Sequence, residues 1–218
     1  CRGMVNFAPC NSTTNCHIRR TAMRIELIDN RDSFVYNIVG LLEQIKRDPA
    51  FGSLTWNVSR NDLAATDSAD SADALILSPG PGLPSEAGAL AGIVDRYAER
   101  KPMFGICLGF QAIAEHFGAA LIQTDCPRHG HRTHLSRIDP SDLVMGSLSG
   151  TFPAVGRYHS WVVEKESLPE CLIATSVDED GNLMSFRHHS LPLYATQFHP
   201  ESYISDCGIV IMKSFFEN

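Results

Sequence analysis

No hydrophobic run approaches the roughly 18 apolar residues that a membrane-spanning helix needs, so a transmembrane role is excluded. Internal repeats, low-complexity tracts and linkers are missing too, which leaves one domain as the expectation. Basic residues are in deficit: 18 Lys and Arg stand against 25 Asp and Glu, for a net charge of −7. That balance is uneven, because residues 1–22 hold Arg2, Arg19 and Arg20 and no acid, and setting them aside leaves −10 from Met23 onward. So acidic a body gains nothing from phosphate backbones or anionic lipid surfaces, which argues against nucleic-acid and membrane partners. Paired cysteines are also absent. The seven cysteines fall as Cys1, Cys10 and Cys16 ahead of Met23, with Cys107, Cys126, Cys171 and Cys207 scattered beyond it. An odd number without paired spacing predicts no disulfide framework, but free thiols in a reducing, cytoplasmic compartment.

What remains is globular in proportion: 44% hydrophobic and 20% charged over 218 residues, enough to bury a core without disulfides or metal. Residues 1–22 have no hydrophobic periodicity and no secretory core. They are expected to be a disordered extension upstream of a domain at 23–218, with only a faint likeness to an organellar transit peptide. Cys10, Cys16 and His17 form C-x5-C-H, which matches no common zinc pattern.

Along the body, Met23 to Asp29 (MRIELID) predicts a buried strand whose polar end can face a ligand. A helix follows, capped by Asp32 or Ser33, with Phe34, Ile38, Leu41, Leu42 and Ile45 at helical spacing until Pro49 ends it. Strands at Leu54 to Val58, Ala74 to Leu77 and Pro102 to Ile106 alternate with helices at Glu86 to Arg100 and Leu108 to Phe117, the last closed by Gly118. That alternation predicts an α/β fold, a mainly parallel sheet with helices on both faces. The second half adds strands at Ala120 to Gln123, His134 to Ile138, Trp161 to Glu164, Leu172 to Val177, Leu183 to Arg187 and Leu193 to Phe198. These form an antiparallel region with a hairpin at 178–182, before a final helix from Cys207 to Phe216.

One thiol stands apart. Gly105-Ile106-Cys107-Leu108-Gly109 lies between a strand and its helix, a G-x-nucleophile-x-G arrangement with Cys107 as the nucleophile. Small residues two places either side avoid clashes at so sharp a turn. The helix N-terminus beside Cys107 favours thiolate over thiol. Taken alone, the pentapeptide fits a small buried core residue equally well. A thiol nucleophile wants a base, and that base wants an acid. His199-Pro200-Glu201 supplies both, at the end of a strand that reaches the same carboxyl edge if it runs parallel, with Pro200 holding the backbone extended so that the two side chains converge. Acyl transfer also needs oxyanion donors, each worth roughly 2.7–4 kcal/mol of barrier. The Leu108 N–H is one, and the Gly80 N–H of Ser78-Pro79-Gly80-Pro81-Gly82 is the second. A phosphate-loop reading of that segment fails for want of Gly-Lys-Ser/Thr.

Five blocks then carry a resemblance: residues 29–37 (DNRDSFVYN), 77–88 (LSPGPGLPSEAG), 105–111 (GICLGFQ), 156–160 (GRYHS) and 197–202 (QFHPES). Together, in this order, the segment from Met23 to the end resembles the class I, triad-type glutamine amidotransferases with a flavodoxin-like sheet. Within them it is similar to the glutaminase subunits of chorismate-using synthases: anthranilate synthase component II, in tryptophan biosynthesis, and the aminodeoxychorismate synthase glutaminase, in folate biosynthesis. The resemblance implies that Cys107 attacks the glutamine side-chain amide, His199 carries the proton to departing ammonia and Glu201 orients His199. It implies that Gly80, Pro81, Gly82 and Gln111, with the backbone at Ser160 and Trp161, hold glutamine. It also implies no cofactor in this chain, any metal belonging to the partner, and a large synthase subunit that receives the ammonia and binds chorismate, for which residues 23–218 leave no room. Two positions depart from the family pattern: His131 stands where lysine is expected, in a segment that lies toward the partner, and Trp161 where leucine is commoner.

Nine histidines invite a metal reading at His129-x-His131-x-x-His134 or His188-His189. On a strand, however, His134 would leave the face shared by the first two, and no cysteine or carboxylate completes a set. Rival functions are another cysteine hydrolase on the same elbow, peptidase-like or γ-glutamyl hydrolase, and a noncatalytic binding subunit. The first two blocks weigh against the former, the intact Cys-His-Glu set against the latter.

Overall fold

Short apolar runs and amphipathic helices alternate in β1 (Arg24–Asp29), α1 (Val35–Lys46), β2 (Thr55–Arg60), α2 (Ala65–Ser71), β3 (Ala74–Leu77), α3 (Leu90–Tyr97), β4 (Met103–Ile106) and α4 (Leu108–His116). Then come β5 (Leu121–Ile138), β6 (Ala154–Val163), β7 (Leu172–Asp178), β8 (Leu183–His188), β9 (Leu193–Thr196) and α5 (Gly208–Glu217). The computed structural model describes residues 22–62 and 65–218. The extension expected at the N-terminus, with Cys1, Cys10, Cys16 and His17, lies outside the described residues apart from Ala22.

The strands form one sheet in the order β2-β1-β3-β4-β9-β8-β7-β5-β6. β2, β1, β3, β4 and β9 run parallel, and the remainder pair antiparallel. Every residue of β3, β4 and β9 is buried, as parallel strands covered on both faces require. Ile38, Leu42 and Ile45 of α1 meet Ile211, Met212 and Phe215 of α5 in one core. Leu90, Ile93 and Val94 of α3 pack with Phe110 and Ile113 of α4 in the other.

Register places the site. Leu77 pairs with Gly105, and Gly105 with Ala195, so β3, β4 and β9 end at one level. The loops that follow them, carrying Gly80, Cys107 and His199, leave the same carboxyl edge. The parallel direction of β9 is what brings a residue 92 positions later in the chain beside the cysteine.

Several elements differ from expectation. The two strands expected at 120–123 and 134–138 are one ribbon, β5, paired with β6 through irregularities near Arg128 and at Gly130, whose φ is +70°. The intervening CPRHGHRT has no apolar alternation, so its strand character comes from its partner alone. The helix expected from Glu86 begins at Leu90, because Pro84–Glu86 closes a single 3-10 turn and Gly88 takes a φ of +56°. α2 has almost no apolar stripe, and among its described side chains Ala69 alone reaches the core. At α1, Asp32 accepts the Phe34 N–H at 2.7 Å, while Phe34 itself occupies the cap position without a side-chain bond. Gly118 closes α4 at φ +96°, and the hairpin at 178–182 turns on Gly181. Among the described residues, no helix is long and apolar enough to cross a membrane.

Candidate active site

Cys107 joins β4 to α4 at φ 51°, ψ −95°, a strained conformation for a residue with a side chain. The two neighbouring glycines make the turn possible. A Cβ on Gly105 would lie 2.6 Å from the Gly109 carbonyl oxygen, and one on Gly109 only 2.5 Å from that of Leu77. The Cys107 N–H donates to Thr196 O (2.8 Å) and its carbonyl accepts from Gln111 N (3.0 Å), which ties the elbow to β9 behind and to α4 ahead. The thiol is almost fully buried, and the Gln197 amide nitrogen approaches its sulfur at 3.6 Å.

His199 and Glu201 are likewise buried, with Nδ1 and Oε1 2.8 Å apart. The expected extended backbone at Pro200 is instead a turn: His199 O accepts from Ser202 N at 3.2 Å and from Ser205 Oγ at 2.5 Å. That curl, not extension, makes the two side chains converge. Burial lowers the His199 pKa, but the charges of Glu201 and then Cys107 outweigh it and push it up to about 10. Among the described residues Nε2 meets no partner at full hydrogen-bond geometry, although the Cys107 side chain lies near enough to raise the His199 pKa. Phe34 and Tyr158 set their rings edgewise against the imidazole, at centroid distances of 5.3 and 4.8 Å.

In front of Cys107 lies a cavity of about 280 Å³. Its walls include Gly80, Pro81, Gly82, Gln111 and Ser160, drawn from three separate sequence blocks, and Trp161, which directly follows the last of them. Gln111 turns inward to donate from Nε2 to Trp161 O at 2.8 Å. The Gly80 loop is held from below, where the Asn30 side chain donates to Ser78 O (2.7 Å), its N–H donates to Ser78 Oγ (2.9 Å), and Asn61 donates to Asn30 Oδ1 (3.1 Å). Leu108 packs beneath that loop, and as the first residue of α4 its N–H precedes any carbonyl one turn earlier in the helix.

The same walls contain Tyr158 and His159, neither of them singled out from sequence, and His129, which the sequence offered only as a metal ligand. Tyr158 and His159 lie inside one of the five blocks, as does Gln197. Nothing in the sequence tied His129 to this cavity, since its pairing with Tyr158 across β5 and β6 brings it here.

The histidine cluster disperses. His129 faces Ser160 Oγ at 3.2 Å, His131 faces Arg128 at 3.1 Å, and His134 lies 3.7 Å from Glu179, while His188 stacks on His189. Among the described residues, no group of three or more His, Cys, Asp or Glu side chains could hold a metal ion.

A cysteine at positive φ on a strand-to-helix turn, with a histidine–carboxylate pair delivered by the adjacent parallel strand, places this chain among the α/β proteins built on a nucleophile elbow. The chain belongs to the class I glutamine amidotransferases, whose family model ("Glutamine amidotransferase class-I") matches residues 26–218. It is 37% identical over 202 residues to anthranilate synthase component 2 of Thermus thermophilus, covering 91% of this chain and 94% of that one. To the aminodeoxychorismate/anthranilate synthase component 2 of Bacillus subtilis it is 35% identical over 195 residues, covering 88% and 95%. Among solved structures it is similar to a Thermoplasma acidophilum protein assigned to GMP synthase, with a TM-score of 0.76 and 25% identity over 90% of this chain and 94% of that one.

Proposed function

We propose that this chain hydrolyses L-glutamine and passes the ammonia to a chorismate-using synthase subunit, with anthranilate as the product. The observation that carries the reading is the single cavity that joins Cys107 to Gly80, Gln111 and Trp161, with the His199–Glu201 pair buried at the same sheet edge. Cys107 Sγ attacks the side-chain amide carbon. The N–H groups of Gly80 and Leu108 stabilise the oxyanion, each by roughly 2.7–4 kcal/mol. A raised pKa lets His199 hold its proton at neutral pH, balancing a thiolate and then protonating the leaving nitrogen as the C–N bond breaks. Water next attacks the γ-glutamyl thioester and gives its proton to His199, and glutamate departs as the thiol is restored. Glu201 keeps the His199 proton on Nδ1 and the ring in place. Glutamine and water balance the reaction without a cofactor in this chain.

The relatives' shared name, component 2 of anthranilate synthase, supports a large synthase partner that accepts the ammonia. The double name of the Bacillus subtilis relative favours aminodeoxychorismate as a second product, through an alternative partner. The test measures glutamate release by the chain alone and with each candidate large subunit plus chorismate, for wild type and Cys107→Ser. Release by wild type with a partner, abolished in Cys107→Ser, is the expected result. No release with either partner, or equal release by the variant, would overturn the proposal.

A further inference from the structure

Gln197 is fully buried between the end of β9 and His199, and it has no part in the chemistry above. Backbone bonds on either side fix its place: its own N–H donates to Met184 O at 2.8 Å, and the carbonyl of Thr196 before it accepts from the Cys107 N–H at 2.8 Å. The side chain then bridges two residues of the site. Its Oε1 accepts from Gln111 Nε2 at 3.3 Å, and its Nε2 lies 3.6 Å from Cys107 Sγ, within N–H···S reach. Chemistry settles which end faces which. The Trp161 carbonyl can only accept, so the Gln111 atom 2.8 Å from it is the amide nitrogen. That nitrogen only donates, so the Gln197 atom that faces it is the oxygen, and the Gln197 nitrogen turns to the sulfur. Turning the Gln197 amide over would set nitrogen against nitrogen and oxygen against sulfur, and both contacts would be lost.

A thiol sulfur is a weak acceptor, whereas a thiolate draws a charge-assisted bond, so a donor held against sulfur favours the charged form. We infer that Gln197 is a further catalytic residue, whose side-chain N–H holds the Cys107 sulfur as thiolate before attack and again when the thioester breaks. In that second step the bond from sulfur to the γ-carbonyl carbon breaks and its electron pair returns to sulfur, where the amide N–H already stands to meet the charge. His199 gains and loses a proton in each turnover, while Gln197 exchanges none. Through Oε1 it also holds the Gln111 amide in its one orientation. The inference rests on the glutaminase reading for the step that it serves, and not for the contact with sulfur.

Two measurements test it. Alkylation of Cys107 by iodoacetamide, followed by peptide mass spectrometry across pH on the isolated chain, reads thiolate formation without glutamine or a partner. Gln197→Met, similar in shape but without a donor, should move the acid limb of that profile up by about one pH unit or more. Gln197→Glu keeps an acceptor for Gln111 and sets a like charge beside the sulfur, so it should move the limb the same way, and it carries the test if thermal melts show that the Met variant does not fold. Gln111→Met removes a substrate contact and leaves the Gln197 donor at sulfur, so its limb should stay with wild type. In steady-state glutamate release with the partner subunit, Gln197→Met should lower kcat about ten- to a hundredfold, with a smaller rise in KM than Gln111→Met shows. A limb that stays in place in the folded Gln197 variants, one that moves as far in Gln111→Met, or a Gln197→Met kcat within about threefold of wild type would overturn the inference. If wild type releases no glutamate with any partner, the glutaminase reading fails, and the alkylation profile still decides the sulfur contact by itself.

Discussion

Replacing Gly80 by alanine adds one methyl group where the structure leaves no room for it. The new Cβ would lie 2.5 Å from Leu108 Cδ2, 2.7 Å from Asn30 Cβ and 2.8 Å from Asn30 O. The leucine end can rotate away, whereas Asn30 cannot, because it is buried and bonded twice to Ser78 and once to Asn61. Against an ordinary contact of 3.4 Å or more, the loop must lift by roughly 0.7 Å. Overpacking of this kind costs about 1–3 kcal/mol, which at about 2–4 °C per kcal/mol lowers Tm by roughly 2–12 °C. The catalytic loss should be larger in proportion. The lift carries the Gly80 N–H away from the oxyanion, and a misplacement near 1 Å, or loss of one such donor, costs about 10²-fold or more. Calorimetric melting and steady-state glutamate release with the partner subunit read the two effects separately. A Gly80→Ala enzyme with kcat within about threefold of wild type would refute the placement of this backbone at the reacting carbonyl.

Glu201→Gln removes the acid that orients His199, and kcat should fall by about 10⁴-fold, as in triads that have lost their carboxylate. A folded pKa raised to about 10 contributes stability in full below the ordinary histidine value of about 6.5, and that contribution is lost as pH rises toward 10. The stability gap between wild type and Glu201→Gln in urea melts should therefore narrow from pH 6 to pH 10, and a constant gap would contradict the assignment. Arg157→Met breaks a buried ion pair and strands Asp178 in the core, so denaturant titration should show a loss of about 3–5 kcal/mol. Burial, then the charge of Asp206, pushes the Cys207 thiol up to about 12, so peptide mass spectrometry after iodoacetamide treatment at neutral pH should find Cys207 unmodified.

The elements that form from local signals were legible. β3 and β4 are unbroken apolar runs, α4 ends at a glycine where one was expected, and the turn at 178–182 has its glycine at positive φ. Legibility failed where a partner strand or a bend supplied the order. The polar middle of β5 is a strand only because β6 lies beside it, and the curl at Pro200 follows from hydrogen bonds made to His199 O by Ser202 and Ser205. α3 starts later than its apolar spacing suggests because Gly88 bends the chain just after a proline-led turn.

Composition, spacing and turn chemistry in the sequence by themselves determined an acidic α/β domain with one cysteine on a glycine-flanked elbow. They also singled out a histidine–glutamate pair two residues apart, because such constraints are local and each residue carries its own. Tertiary structure alone decided that β9 runs parallel beside β4, that three distant loops share one edge, and that His129, Tyr158, His159 and Gln197 join them. Those facts depend on register and on which partner reaches a buried polar atom first, quantities that exist only once the sheet has closed.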